Sequence, residues 1–163
     1  MTTYITVDPG KKGGLVVLRD GDIIDCRKMI NDYMALHAFI KEIAIIANRN
    51  PLYAIVEQVH SMPKQGVVSA FTFGQGYGAL LMAFASLDIP VYFVTPQRWM
   101  KDLGLKRSKE TSKLTWKKAL QEYAKAVWPE TDPTLETADA LLIALWVLQK
   151  EKKGESPWLH QSS

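Results

Sequence analysis

Residues 7–14 read VDPGKKGG and close the short β-branched run YITVD of residues 4–8. Two structures compete for this stretch. A glycine-rich loop that follows a strand and opens a helix cradles phosphates with its backbone N–H groups. A turn between two strands uses glycine for tight backbone geometry instead. Spacing separates them: the stretch lacks GxxxxGK[ST], and a second strand, not a helix, comes next. GLVVLRDGDIIDCRKM (14–29) reads as a hairpin with Asp20-Gly21-Asp22 at its turn. The chain therefore opens as a meander of three strands, and VDPGKKGG is its first turn. Asp8 is left as a carboxylate at the end of a strand, with no nucleotide phosphate to bind.

Further along, DYMALHAFIKEIAIIANRN (32–50) repeats Leu36, Phe39, Ile40, Ile43 and Ile46 at helical spacing, with Asn31 or Asp32 to cap it and Asn50-Pro51 to end it. LYAIVE (52–57) and IPVYFV (89–94) are continuous apolar runs, read as strands buried on both faces. Residues 67–88 read as a helix despite Gly74, Gly76 and Gly78. Each glycine costs about 1 kcal/mol against alanine, so a close approach to this backbone is expected. TPQRWMKDLG (95–104) is a short helix with Thr95 as cap and Pro96 at its first position. Residues 108–127 form a basic amphipathic helix, and 132–150 a last helix with Asp132 as cap. Residues 151–163 read as a flexible tail. The order of strands and helices predicts an α/β fold: one domain over residues 1–150, with a mixed sheet covered by helices.

A chain of 163 residues, 47% hydrophobic and 23% charged, suits one ordinary globular core. No apolar run approaches 18 residues, so no membrane span is expected. The polar N-terminus predicts no signal peptide. The single Cys26 excludes an internal disulfide. A reducing, cytoplasmic setting fits. Net charge is +3, but residues 98–125 carry nine lysines and arginines against three acids. A basic segment on a slightly acidic body is the footprint of a polyanion contact, or else a solvated helix face.

Four acids stand out by position. Asp8 and Glu57 each end an apolar strand, and Asp139 lies within the apolar ADALLIALW. Glu136 precedes Asp139 by three residues, which on a helix puts both on one face. Strand ends are where sites collect in α/β sheets. If the first and fourth strands are neighbours, Asp8 and Glu57 meet, and the last helix brings the other two. Clustered carboxylates repel unless cations join them. An all-oxygen set favours Mg²⁺, with Mn²⁺ as substitute. Two such ions about 3.5–4 Å apart clamp the attacking and leaving oxygens of an in-line phosphoryl displacement. Taken singly, Asp8 also suits a turn and Glu136 a helix N-terminus.

Asp8-Pro9-Gly10, Glu57-Gln58-Val59, FGQGYGALL, Val94-Thr95-Pro96-Gln97 and Glu136-Thr137-Ala138-Asp139-Ala140-Leu141 occur in an order that resembles the RuvC family of Holliday-junction resolvases. The resemblance spans residues 4 to 148. It implies a ribonuclease H-like fold with a five-stranded mixed sheet flanked by helices. It also implies a homodimer acting on four-way DNA junctions with divalent metal ions, making paired nicks with 5′-phosphate and 3′-hydroxyl ends. The family's four acids fall on Asp8, Glu57, Glu136 and Asp139. The third is often aspartate, so Glu136 departs from the pattern by one methylene. The aromatic that often follows Glu-Gln-Val is here His60, which stacks on bases or stands as a solvated loop residue. The family's lysine near the start of the late basic helix falls on Lys109 or Lys113. Lys106 and Arg107 are implied as phosphate contacts. The 66–68 loop and the glycine-spaced helix are implied to face the partner subunit or DNA, the alternative being close packing onto the protein's own sheet.

Rival readings stay open on sequence. Another nuclease of the same fold would act on other branched DNA or on RNA–DNA hybrids. A sugar kinase or actin-like ATPase also starts with a strand ending in Asp-x-Gly, but needs two such domains. A non-catalytic DNA-binding module gains nothing from clustered negative charge facing DNA.

Overall fold

The computed structural model describes residues 1–59 and 66–160, the side chains of Leu159 and His160 excepted. Five strands form one sheet in the order β3-β2-β1-β4-β5: β1 Thr3–Asp8, β2 Gly14–Arg19, β3 Asp22–Lys28, β4 Leu52–Glu57 and β5 Val91–Val94. β1, β2 and β3 pair antiparallel, and β4 and β5 run parallel to β1. This is the expected α/β, five-stranded mixed sheet. Asp20 and Gly21, both at positive φ, form the two-residue turn of the β2–β3 hairpin.

VDPGKKGG is the predicted turn, and its glycines answer to space. A Cβ on Gly13 would lie 1.9 Å from the carbonyl oxygen of Asp8. A Cβ on Gly14 would lie 2.8 Å from the carbonyl oxygen of Glu136 and 3.0 Å from Cα of Thr137. Gly14 thus lets the chain before the last helix cross directly over the start of β2.

Strand alternation sorts the core into two layers. Ile5, Val7, Leu15, Val17, Ala54 and Val56 pack against α1 (Tyr33–Ala47) and α2 (Val67–Ala85). Tyr4, Val16, Leu18 and Ile55 face α3 (Pro96–Asp102), α4 (Lys113–Val127) and α5 (Ala138–Lys152). Asp32 caps α1 by accepting from the Ala35 N–H, and Thr95 caps α3 by accepting from the Arg98 N–H. α1 stops earlier than Asn50-Pro51, at left-handed Asn48.

Several elements differ from the sequence reading. α4 starts at Lys113, because Ser112 accepts from the Thr115 N–H and caps it there. α5 starts at Ala138, not at 133: Asp132 takes positive φ and closes a 3₁₀ turn over Pro129–Thr131 with its backbone N–H, so it does not open the helix. Thr134 and Thr137 then tie the intervening turn, the Thr134 N–H donating to the Thr137 hydroxyl at 2.9 Å. Edge strand β5 leaves Phe93 40% exposed rather than buried on both faces.

The expected flexible tail is partly core. Trp158 is 3% exposed, and its ring sits against Tyr4, Tyr92 and Trp146. The indole N–H of Trp158 donates to the Tyr4 hydroxyl at 3.2 Å.

α2 packs on α1 by one side only and leaves Val67, Val68, Phe71 and Met82 exposed. Among the described residues, a Cβ on Gly74, Gly76 or Gly78 would meet nothing within 4 Å, so these glycines do not serve packing onto the protein's own sheet. Among the described residues α2 is also the one helix with the length and hydropathy of a membrane span, against the expectation that no such run exists.

Candidate active site

The β1–β4 ladder pairs Val7 with Val56, so the next rung sets Asp8 beside Glu57 at the end of the sheet. Alternation turns both to the α5 face, the side of Tyr4, Thr6 and Ile55. Thr6 then fixes α5 over this end, its hydroxyl donating to the Ala140 carbonyl at 2.7 Å. That contact brings Asp139, in the first turn of α5, to the two strand-end acids. The condition set by the sequence, that the first and fourth strands be neighbours, is met.

The three carboxylates sense one another. Burial, then the charges of Asp139 and Glu57, push the Asp8 carboxyl well above the usual carboxylate range. Glu57, 8% exposed, is pushed from its ordinary 4.5 to about 7, by burial first and further by Asp139. Burial also raises Asp139. Lys117 of α4 pulls all three back toward the charged form. A second restraint is the indole of Trp99, which donates to Glu57 Oε2 at 2.8 Å and also favours the charged carboxylate.

Glu136 stands apart. It precedes α5, so it does not share a helix face with Asp139 as the spacing predicted. Its carboxylate lies 3.5 Å from Lys28 Nζ. Hydrogen bonds from its own backbone N–H and from Thr134, then Lys28, lower its carboxyl. Lys28 belongs to the same rung of the sheet: Asp8 pairs with Gly14, and Gly14 with Lys28. The rung therefore reads Glu57, Asp8, Gly14, Lys28, with the 136–137 backbone lying over the glycine.

The basic residues named from sequence are exposed. Lys106, Arg107 and Lys109 lie on the segment between α3 and α4, and Lys113 opens α4. The Arg107 Nε–H donates to the Thr111 carbonyl at 2.9 Å, giving this segment a partly fixed path. His60 lies outside the described residues.

Among the described residues, no three His, Cys, Asp or Glu side chains close to the spacing of a metal cage. The donor chemistry of Asp8, Glu57 and Asp139 nevertheless fits a hard divalent cation. It offers oxygen only, drawn from three separate elements, and has a deficit of positive charge that Lys117 alone does not offset.

Sequence reasoning missed Trp99 and Lys117. Lys117 adjoins the apolar stripe of Trp116, Leu120 and Ala124 at helical spacing, a signal that separates it from Lys118 though not from Lys113. For Trp99 the signal was its place one helical turn past the Thr95 cap, at the end of a strand that pairs with Glu57.

An α/β domain with this strand order and with acids at the ends of its first and fourth strands has a ribonuclease H-like fold. Solved structures make the likeness specific. Thermus thermophilus RuvC in complex with a Holliday junction substrate matches with a TM-score of 0.65 at 19% identity, over 96% of this chain and 98% of that one. A second Thermus thermophilus RuvC structure matches with a TM-score of 0.62 at 19% identity, over 95% and 98%. At this identity the likeness is one of fold. No protein-family profile matches the sequence, and no curated protein does either.

Proposed function

We propose that this chain is a divalent-metal-dependent, structure-selective DNA endonuclease that resolves four-way junctions. The observation that carries the reading is the convergence of Asp8, Glu57 and Asp139 at one sheet end, in a fold matched over nearly its whole length by a RuvC bound to a Holliday junction. Buried like charges are costly. A binding module has no use for them beside a polyanion, whereas a hydrolytic centre does.

Asp8 and Asp139 are the principal metal ligands in this reading, and Glu57 completes the set from the β4 side. Magnesium is the expected ion, with manganese as substitute. When bound, one or two such ions supply Lewis-acid polarisation of a phosphodiester and ease ionisation of the attacking water. The protein's own share is positioning. Thr6 holds α5 in place, Trp99 orients Glu57, and Lys117 keeps the carboxylates closer to their charged form. Glu136 is the fourth acid of the set, held by Lys28 at the margin. Lys106, Arg107, Lys109 and Lys113 contact DNA backbone phosphates, and His60 meets bases near the crossover.

The uncharged, one-sided helix α2 supports a homodimer. Its exposed Val67, Val68, Phe71 and Met82 flank glycines with open space around them, and a second copy of α2 would fill that space. Two active sites in such a dimer make the paired nicks.

The test is cleavage of a labelled four-way junction beside linear duplex, a fork and an RNA–DNA hybrid, with Mg²⁺, with Mn²⁺ and with chelator. Paired nicking of the junction that chelator abolishes supports the reading. Preferential cutting of the hybrid overturns the substrate. Junction binding without any cutting overturns the enzyme.

A further inference from the structure

We propose that Trp99 is a positioning residue whose indole N–H sets the orientation of the Glu57 carboxylate for metal binding, so that metal affinity depends on that one hydrogen bond. The inference rests on the metal-dependent function proposed for this site.

The local chain geometry delivers the indole to this acid. Glu57 pairs with Val94 across the β4–β5 ladder. Thr95 follows at once as the cap of α3, and the backbone N–H of Trp99 bonds the Thr95 carbonyl at 3.2 Å, one turn on. A single helical turn therefore swings the indole back over the strand end that carries Glu57. Both partners are constrained: Trp99 is fully buried and Glu57 nearly so. A buried indole has one polar atom, a donor only, and it must find an acceptor. Here that acceptor is Oε2 of Glu57, at 2.8 Å.

The bond has a directional consequence. With Oε2 tied to a ring in the core, the carboxylate loses rotation about its last bond. Oε1 and the remaining lone pair of Oε2 are then the sites open to a cation. An outer partner that orients a ligand in this way typically carries about 10–100-fold of metal affinity. Packing alone predicts no such dependence, because a phenyl ring fills most of the same space.

Trp99→Phe keeps a buried ring and deletes the donor. Mn²⁺ titrated calorimetrically into the DNA-free protein should bind Trp99→Phe roughly 10-fold more weakly than wild type. In a Glu57→Ala background, which has no acceptor for the indole, the same substitution should change Mn²⁺ affinity far less, since the two residues act through one bond. A readout on wild-type protein avoids any folding defect of the variant. The Trp99 indole ¹⁵N–¹H resonance, identified with ¹⁵N-labelled tryptophan, should shift on addition of Mg²⁺. Equal Mn²⁺ affinity of wild type and Trp99→Phe, or an indole resonance indifferent to Mg²⁺ that does bind, overturns the positioning role alone. Absence of any Mn²⁺ binding to wild type overturns the metal reading as well.

Discussion

Replacing Glu57 by glutamine should stabilise the metal-free protein at alkaline pH and leave it nearly unchanged in acid. Glu57 is raised from 4.5 to about 7 because burial and Asp139 disfavour its charge. An acid with a raised pKa holds its proton longer in the folded state than in the unfolded one. The contribution of Glu57 to folding stability is therefore greatest below pH 4.5 and falls as pH rises through about 7, above which the charge is fully imposed. At about 1.4 kcal/mol per pH unit, the penalty at pH 8 is about 3 kcal/mol. Glutamine carries no charge, and its amide oxygen still accepts from Trp99. For a chain of this size about 3 kcal/mol corresponds to a rise of roughly 6–12 °C in Tm. Thermal unfolding followed by circular dichroism, in chelator at pH 4 and pH 8, measures it. A large gain at pH 8 and almost none at pH 4 is expected. A loss at pH 8, or a gain of equal size at both pH values, would refute the electrostatic reasoning.

Other consequences can be tested separately. Gly14→Ala places a Cβ against backbone atoms of Glu136 and Thr137 that cannot rotate away; urea denaturation should show a loss of about 1–3 kcal/mol, and junction cleavage should fall as the start of α5 shifts. Trp158→Ala removes a ring buried against Tyr4, Tyr92 and Trp146; equilibrium unfolding should show a cost of about 3–5 kcal/mol, whereas a flexible tail would show none. Alanine at Lys106 and Arg107 together should weaken junction binding at every sequence tested and flatten its dependence on log salt by about 0.9 for each phosphate no longer neutralised, as read by binding titrations at several salt concentrations.

The features legible in the sequence were mostly local. The β1–β2 turn, the Asp20-Gly21 hairpin and the Thr95-Pro96 helix start depend on neighbours in the chain, and each stands as read. The places of Asp8 and Glu57 were legible because apolar strands end on them. The start of α5 was not. Asp132-Pro133 has the composition of a cap, but a 3₁₀ turn and the Thr134–Thr137 hydroxyls use those residues otherwise. That shift removes Glu136 from the helix and gives it to Lys28, a partner set by strand register and not by spacing. Trp99, Lys117 and the burial of Trp158 depend on contacts between distant segments: local spacing hints at a place for the first two but not at the acids they face. The glycines of α2 were read as a close-approach surface, but among the described residues nothing lies within 4 Å of a Cβ placed on them.

Anomalous diffraction from crystals soaked in Mn²⁺ tests the metal centre most directly. The prediction is one or two anomalous peaks ligated by carboxylate oxygens of Asp8, Glu57 and Asp139, abolished in Asp8→Asn. Manganese bound only elsewhere, or an identical peak in Asp8→Asn, would contradict the claim that these acids form a metal-dependent cleavage centre.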